Sequence, residues 1–314
     1  MNDHAEPVIA VICGGPSAEA EVSRVSAAGV SKALQASFKH VHTIELDDQL
    51  APVLLELKPD VVFPVLHGPP GEDGTVQGFL EILGIPYVGS DVHASANAMD
   101  KVISKQIFRR AGLPLIDDLV LLKSDGIAAG VKRITNQLGE YVVVKPARQG
   151  SALGVHIIDN SNQLHGALED AFEFDEQALA EQRIDGKEIT CGVLERHGGV
   201  EAFPVIEVVT PADTWYDYEH RYTQGFSEHV MPAELPDAQT KRIQQIAIAA
   251  HQALGCRDLS RADFIVTGDA EEYLLEVNNL PGMTPTSLYP DGARGVGLSF
   301  EELVVVLVGN ALGR

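Results

Sequence analysis

Two short stretches carry oxygen donors at strand spacing: Arg261-Ala262-Asp263 and Glu276-Val277-Asn278. Side chains alternate along a strand, so Arg261 and Asp263 share one face, as do Glu276 and Asn278. Two carboxylates and a carboxamide on neighbouring apolar strands are costly to bury unless something pairs with them. Hard oxygen donors of this kind suit magnesium, which takes one or two carboxylates together with substrate phosphates. The spacing alone leaves another arrangement open, an ion pair of Arg261 with Asp263 or Glu276 on an exposed edge. The second feature is Val144-Lys145-Pro146, a cation at the end of a hydrophobic run, followed by Arg148-Gln149-Gly150-Ser151-Ala152-Leu153-Gly154. Glycines let backbone N–H groups approach a phosphate, and a lysine supplies a point charge for it. A hairpin turn with a solvated lysine is the other possibility. Neither GxxxxGK[ST] nor GxGxxG after a strand occurs, so P-loop and dinucleotide sites are not expected.

These groups need a scaffold, and the apolar pattern supplies one. Residues 1–95 alternate short apolar runs (Val8 to Cys13, Val41 to Leu46, Val61 to Leu66) with helix-like stretches, the mark of a parallel sheet wound with helices. The loops at two strand tips, GGPSAE and HGPPGEDG, lie where such sheets bind ligands. Residues 96–185 change rhythm to strand–loop–strand around the Lys145 glycine loop. Residues 186–314 add strands at Ile189 to Leu194 and Phe203 to Val209, and a polar loop from Trp215 to Met231. A helix over Asp237 to Leu254, the strand pair Ala262–Val266 and Tyr273–Val277, and a helix from Phe300 to Leu312 complete them. The fold class read from this is α/β and α+β in three units, with boundaries near 95 and 185.

Composition narrows the function. Apolar residues make up 45% of the 314 and charged residues 22%, ordinary values for a globular chain. A net charge of −22 repels phosphate backbones, so nucleic acid and anionic membrane are poor partners. A small anion remains compatible if the few cations gather where it binds. No basic segment precedes an apolar leader, and Cys13, Cys191 and Cys256 are too sparse for a disulfide framework, which points to a cytoplasmic chain with reduced thiols.

In chain order the blocks GGPSAEAEVS, LHGPPGEDGTVQG, MDK, VVVKPARQGSALGV, WYDYEHRY and LLEVNNLPGMTPTSL resemble the ATP-grasp ligases and, among them, the D-alanine–D-alanine ligase family. The resemblance covers about Val8 to Val308. It implies an ATP-grasp fold with an N-terminal parallel α/β unit and ATP held between central and C-terminal units. It also implies two magnesium ions, which manganese can replace, and a homodimer meeting through the N-terminal unit. The implied activity is ligation of two D-alanine molecules through a D-alanyl phosphate, for peptidoglycan precursor synthesis. A related ligase with D-serine or D-lactate as acceptor is the alternative within the class, and a non-catalytic nucleotide-binding protein the alternative outside it.

By motif match, Lys101 and Lys145 would hold the ATP phosphates, and Glu181, Ile184 and Glu188 the adenine and ribose. Asp263, Glu276 and Asn278 would bind the metal ions. Glu19 would anchor the first substrate's ammonium, with His67 in the same subsite. Arg261 and the backbone N–H of Gly282 would stabilise an oxyanion, and Ser287 and the Leu288 backbone would receive the second substrate's carboxylate. Ser151 and Tyr222 would complete, with Glu19, a hydrogen-bonded set that closes a loop over the site. Tyr222 also favours an amine acceptor over a hydroxyl. The chain departs from the family pattern at Ala20, Ala152, Arg183, Arg221 and Pro69-Pro70, which bears on nucleotide affinity and loop behaviour rather than on the metal ligands.

Overall fold

The structure is a computed structural model, and it describes residues 6–17, 19–150, 152–196, 198–211, 227–284 and 287–314. Ser151 and Tyr222 lie outside the described residues, as does most of the polar loop from Trp215.

The first unit is a parallel sheet in the order β2-β1-β3, made from β1 (Val8–Cys13), β2 (His40–Glu45) and β3 (Val61–Pro64). β1 is apolar throughout and buried along nearly its whole length, as expected for a strand covered on both faces. Helix α1 (Ala20–Gln35) follows the β1 tip, with α2 (Leu50–Leu57), α3 (Thr75–Leu83) and α4 (Val92–Met99) after it. β3 is shorter than the apolar run suggests, ending at Pro64, although Val65 N–H still donates to Ile12 O at 2.8 Å.

Helix α5 (Lys101–Arg110) leads into an antiparallel sheet of β4 (Asp118–Leu122), β5 (Val142–Pro146), β6 (His156–Ile158) and β7 (Gln177–Gln182), in the order β4-β7-β5-β6. Helices α6 (Ile127–Gln137) and α7 (Leu164–Phe174) cover it, with Leu121, Ile134, Val142, Val144, Leu164 and Leu168 in its core. Strand β7 is absent from the sequence reading. Its QALAEQ segment holds no β-branched or aromatic residue, yet it lies between β4 and β5.

The third sheet runs β11-β10-β8-β12-β13, with β9 paired to β8. Its strands are β8 (Lys187–Arg196), β9 (Gly199–Ala202), β10 (Ile206–Val209), β11 (Glu228–Val230), β12 (Leu259–Val266) and β13 (Glu272–Asn278), with α8 (Asp237–Leu254) packed on it. Of the run from Phe203 to Val209 only Ile206–Val209 is strand, Phe203-Pro204-Val205 forming the link from β9, and Glu228–Val230 leaves the expected loop to pair with β10. Helices α9 (Leu288–Gly295) and α10 (Phe300–Leu312) close the chain's described part, the latter with a Ser299–Glu302 capping box.

Tyr289, Leu303, Leu307 and Val308 share one buried cluster with Ile9, Val11, Val30 and Phe63, so the first sheet and the last helices form a common core. Polar ties reinforce it. Asp258, buried and with φ of 62°, accepts from Gly89 N–H at 2.7 Å and from Arg314 at 2.8 and 2.9 Å. Asn279 donates to Ser95 Oγ at 2.9 Å, joining the turn after β13 to α4. Among the described residues no single helix is long and apolar enough to cross a membrane.

Candidate active site

Helix α5 begins at a capped end: Asp100 accepts from Val102 N–H at 3.0 Å and Ile103 N–H at 3.1 Å. This fixes Lys101 in the first helical position. Its ammonium donates to Gln149 O at 2.6 Å, in the glycine loop after β5, and lies 3.3 Å from Glu276 of β13. One cation therefore links three segments far apart in the chain. The glycine loop is anchored at its start by Arg148, whose backbone N–H and Nε each lie 3.0 Å from Asp175 Oδ2.

Lys145, at the end of β5, is buried beside Glu181 of β7, with Nζ 2.5 Å from a carboxylate oxygen. Burial opposes its charge, but Glu181 and Glu276 more than offset that and raise its pKa above the usual lysine value. Glu181 is the converse case. Burial disfavours its ionised form, and Lys145 and Lys105 reverse the effect, holding the pKa at about 2. The alternative of a hairpin turn with a solvated lysine therefore fails, since Lys145 is an interior charge.

Strands β12 and β13 form an antiparallel ladder in which Arg261 faces Asn278 and Asp263 faces Glu276, with an irregularity after Asp263. Arg261 grips Asp263 through two parallel bonds, Nε at 2.8 Å and a terminal nitrogen at 2.7 Å. The pair that the spacing left open is therefore present, but within the molecule: the side chains of Arg261 and Asp263 are 10% and 19% exposed. Thr190 Oγ1 adds a bond to Asp263 at 2.6 Å. Asn278 Oδ1 accepts from Leu280 N–H at 2.9 Å and so shapes the turn toward Gly282. Among the described residues no group of three His, Cys, Asp or Glu side chains could hold a metal ion. The donor set here is two carboxylates and an amide oxygen, and oxygen-only donors of that kind fit magnesium when phosphate oxygens complete the shell.

These elements enclose a cavity of about 300 Å³. Lys101, Lys145, Glu181, Ile184, Glu188, Asp263, Glu276 and Leu288 all border it. Apolar side chains, among them Val143, Ile157 and Leu275, supply a slot beside the charged wall. Arg183, one of the departures from the family pattern, borders it too and pairs with Asp159 and Asp185. Arg261, Asn278, Gly282, Ser287, Glu19 and His67 do not border it; Arg261 is joined to it through Asp263.

Glu19 and His67 lie at the tips of the first sheet and are both buried. A Cβ placed on Gly68 would lie 3.3 Å from Glu19 Oε2, and one on Gly150 3.6 Å from the same oxygen, so both loops approach Glu19 closely. Burial pulls the His67 pKa down, Glu19 opposes this, and Arg261 adds to it, which leaves a neutral imidazole at neutral pH. Burial, with Glu19 adding to it, raises Glu72 to about 8; its carboxyl accepts from Gly68 N–H at 2.6 Å. On the other side, Thr284 N–H donates to Ser287 Oγ at 3.1 Å, and a Cβ on Gly282 would lie 3.0 Å from that oxygen. Sequence reasoning missed Lys105, one turn along α5 from Lys101. It shares the buried face of α5 with Val102, Ser104 and Phe108, which the sequence does not mark as internal.

The family models for the D-ala D-ala ligase N-terminus and C-terminus match residues 49–90 and 107–309. The D-alanine–D-alanine ligase of Halalkalibacterium halodurans is 44% identical over 97% of this chain and 99% of its own length. The chain belongs to the D-alanine–D-alanine ligase family. That of Moorella thermoacetica is 42% identical, covering 97% of this chain and 99% of that protein. The crystal structure of the Bacillus anthracis family member complexed with ATP superposes with a TM-score of 0.84 at 32% identity, covering 98% of both chains. D-alanyl-alanine synthetase A of Vibrio cholerae gives 0.87 at 30% identity, over 99% of this chain and 100% of that one. As a family member this chain has the ATP-grasp fold, and the three sheets described above are its framework.

Proposed function

We propose that this chain is an ATP-dependent ligase that joins two molecules of D-alanine through a D-alanyl phosphate, supplying a peptidoglycan precursor. The observation that carries this reading is the cavity itself. Two lysines from separate elements, Lys101 and Lys145, share it with Asp263 and Glu276 of the β12–β13 hairpin. In an otherwise acidic protein this is where a polyphosphate is stabilised. The solved relative from Bacillus anthracis was crystallised with ATP, which supports the nucleotide assignment.

In this reading the nucleobase occupies the apolar slot near Ile184 and Glu181, the ribose reaches Glu188, and Lys101, Lys145 and the glycine loop hold the phosphates. Asp263, Glu276 and Asn278 would hold two magnesium ions, which when bound neutralise charge on the transferring phosphoryl group. The carboxylate of the first D-alanine takes the γ-phosphoryl group, releasing ADP. The amine of the second, having lost a proton, attacks the acyl carbon, and inorganic phosphate leaves as the amide forms. Glu19 holds the first ammonium with His67 nearby. Arg261 and the Gly282 N–H stabilise the oxyanion of the second step. Ser287 and the Leu288 N–H receive the second carboxylate. Ser151 and Tyr222 would close the site with Glu19, keeping water from the acyl phosphate.

We extend the reading to three units bounded near residues 95 and 185, a homodimer, and a cytoplasmic location. Three unpaired, buried cysteines suit a reducing compartment. Light scattering tests the dimer. The activity test is phosphate release with MgATP and D-alanine, L-alanine, or D-alanine plus D-lactate or D-serine, with product masses recorded. D-alanyl-D-alanine from D-alanine alone is the expected product. Nucleotide binding without turnover on D-alanine, or preferential use of lactate or serine, would overturn the assignment.

A further inference from the structure

A buried lysine outside the cavity wall controls a group inside it. Lys105 is 1% exposed, and a lysine is kept in such a place only by strong pairing. Its ammonium forms an ion pair with Glu181 and lies 3.5 Å from Asp118. Asp118 and Glu181 face each other across β4 and β7, so Lys105 also relieves the repulsion between two interior carboxylates. Glu181 takes Lys105 on one oxygen and Lys145, at 2.5 Å, on the other. Of these three residues only Glu181 and Lys145 border the cavity.

Held from two sides, the Glu181 carboxylate has a fixed orientation and a permanent charge. An ionised carboxylate only accepts hydrogen bonds. Oε1, on the Lys105 side, is buried, so a base at this end of the apolar slot meets the carboxylate through Oε2, whose remaining lone pair demands a donor. A purine with an exocyclic amine meets that demand, whereas one with a carbonyl in the same place sets two acceptors against each other.

On the nucleotide reading given above, we infer that Lys105 is a positioning residue for nucleobase choice: it locks Glu181 as an acceptor, selecting a 6-amino purine over a 6-oxo purine. Its replacement by methionine leaves each carboxylate one cation, Lys145 for Glu181 and Arg109 for Asp118.

The test is calorimetric binding of MgATP and MgGTP, without amino acid, to the wild type, Lys105→Met and Lys105→Gln, together with ATP KM and kcat for ligation. Wild type is expected to prefer ATP by at least about a hundredfold. In Lys105→Met the preference falls at least about tenfold through weaker ATP binding, with kcat at saturating ATP within about threefold of wild type. Lys105→Gln, which keeps one neutral donor, gives an intermediate preference and carries the test if the methionine variant does not fold. An ATP-to-GTP ratio within about twofold of wild type in either folded variant overturns the inference, whatever happens to thermal stability. Wild type that binds neither nucleotide overturns the nucleotide reading itself, and the inference with it.

Discussion

Glu72 gives the sharpest test of the electrostatics around the first-sheet tips. It is buried, close to Glu19, and receives a 2.6 Å bond from Gly68 N–H, and its pKa rises from the ordinary 4.5 to about 8. Burial is the main cause, Glu19 adds to it, and the Gly68 bond, Arg261 and Lys101 oppose it. Between those two pH values the folded protein keeps a proton that the unfolded chain releases. Stability contributed by the neutral acid is complete below about pH 4.5 and is lost as pH rises through about 8. At about 1.4 kcal/mol for each pH unit the full swing is on the order of 5 kcal/mol. Glu72→Gln keeps the shape and the acceptor for Gly68 but cannot ionise. Denaturant unfolding of both proteins from about pH 5 to about pH 9 should show similar stability at the acid end and a growing advantage for the glutamine variant, levelling above about pH 8. A difference between the two that stays constant within about 0.5 kcal/mol across that range would refute the reasoning.

Three further outcomes are expected. Glu276→Gln should cut ligation at least about a thousandfold while unfolding free energy stays within about 1 kcal/mol, because its 3.3 Å contact with Lys101 is part-exposed; near-normal activity in phosphate-release assays would remove the metal assignment. Arg261→Lys loses the two-pronged grip on Asp263; steady-state kinetics should show kcat down by about 10²–10³, and an unchanged kcat would exclude Arg261 from the reacting centre. Asp258→Asn breaks the charge pair with Arg314 but keeps a residue tolerant of positive φ; a loss of about 2–4 kcal/mol is expected in denaturant unfolding, and a loss under about 0.5 kcal/mol would show that this tie contributes little to holding the Gly89 segment and Arg314 at the start of β12.

Much of the framework was legible because its signals are local. The apolar run Val8 to Cys13, closed by Gly14-Gly15, reads as a strand, and the helix expected over about Asp237 to Leu254 is α8. The ladder of β12 and β13 follows from two alternating segments joined by a short link, which is why Asp263 and Glu276 prove to be direct neighbours. Strand β7 was illegible for a converse reason. Its alanines and glutamines carry no strand preference, and it exists because β4 and β5 offer hydrogen bonds on both sides. Lys105 was equally hidden. A lysine reads as a surface residue unless its helix face is known to be internal, and that depends on Glu181 and Asp118 arriving from another element.

By itself, then, the sequence determined which chemical groups exist and which are adjacent on one strand or loop: the Arg261–Asp263 and Glu276–Asn278 pairs, the Lys145 glycine loop, and the order of blocks that marks the family. Only the tertiary structure decided that Lys101 touches both Gln149 and Glu276, that the Arg261–Asp263 pair lies inside rather than on a solvated edge, and that Glu181 is gripped by two lysines. The physical reason is range. Strand alternation and helix periodicity act over a few residues, whereas the charge state and partner of an ionisable side chain are set by desolvation and by whichever opposite charges the folded chain brings within about 4–6 Å.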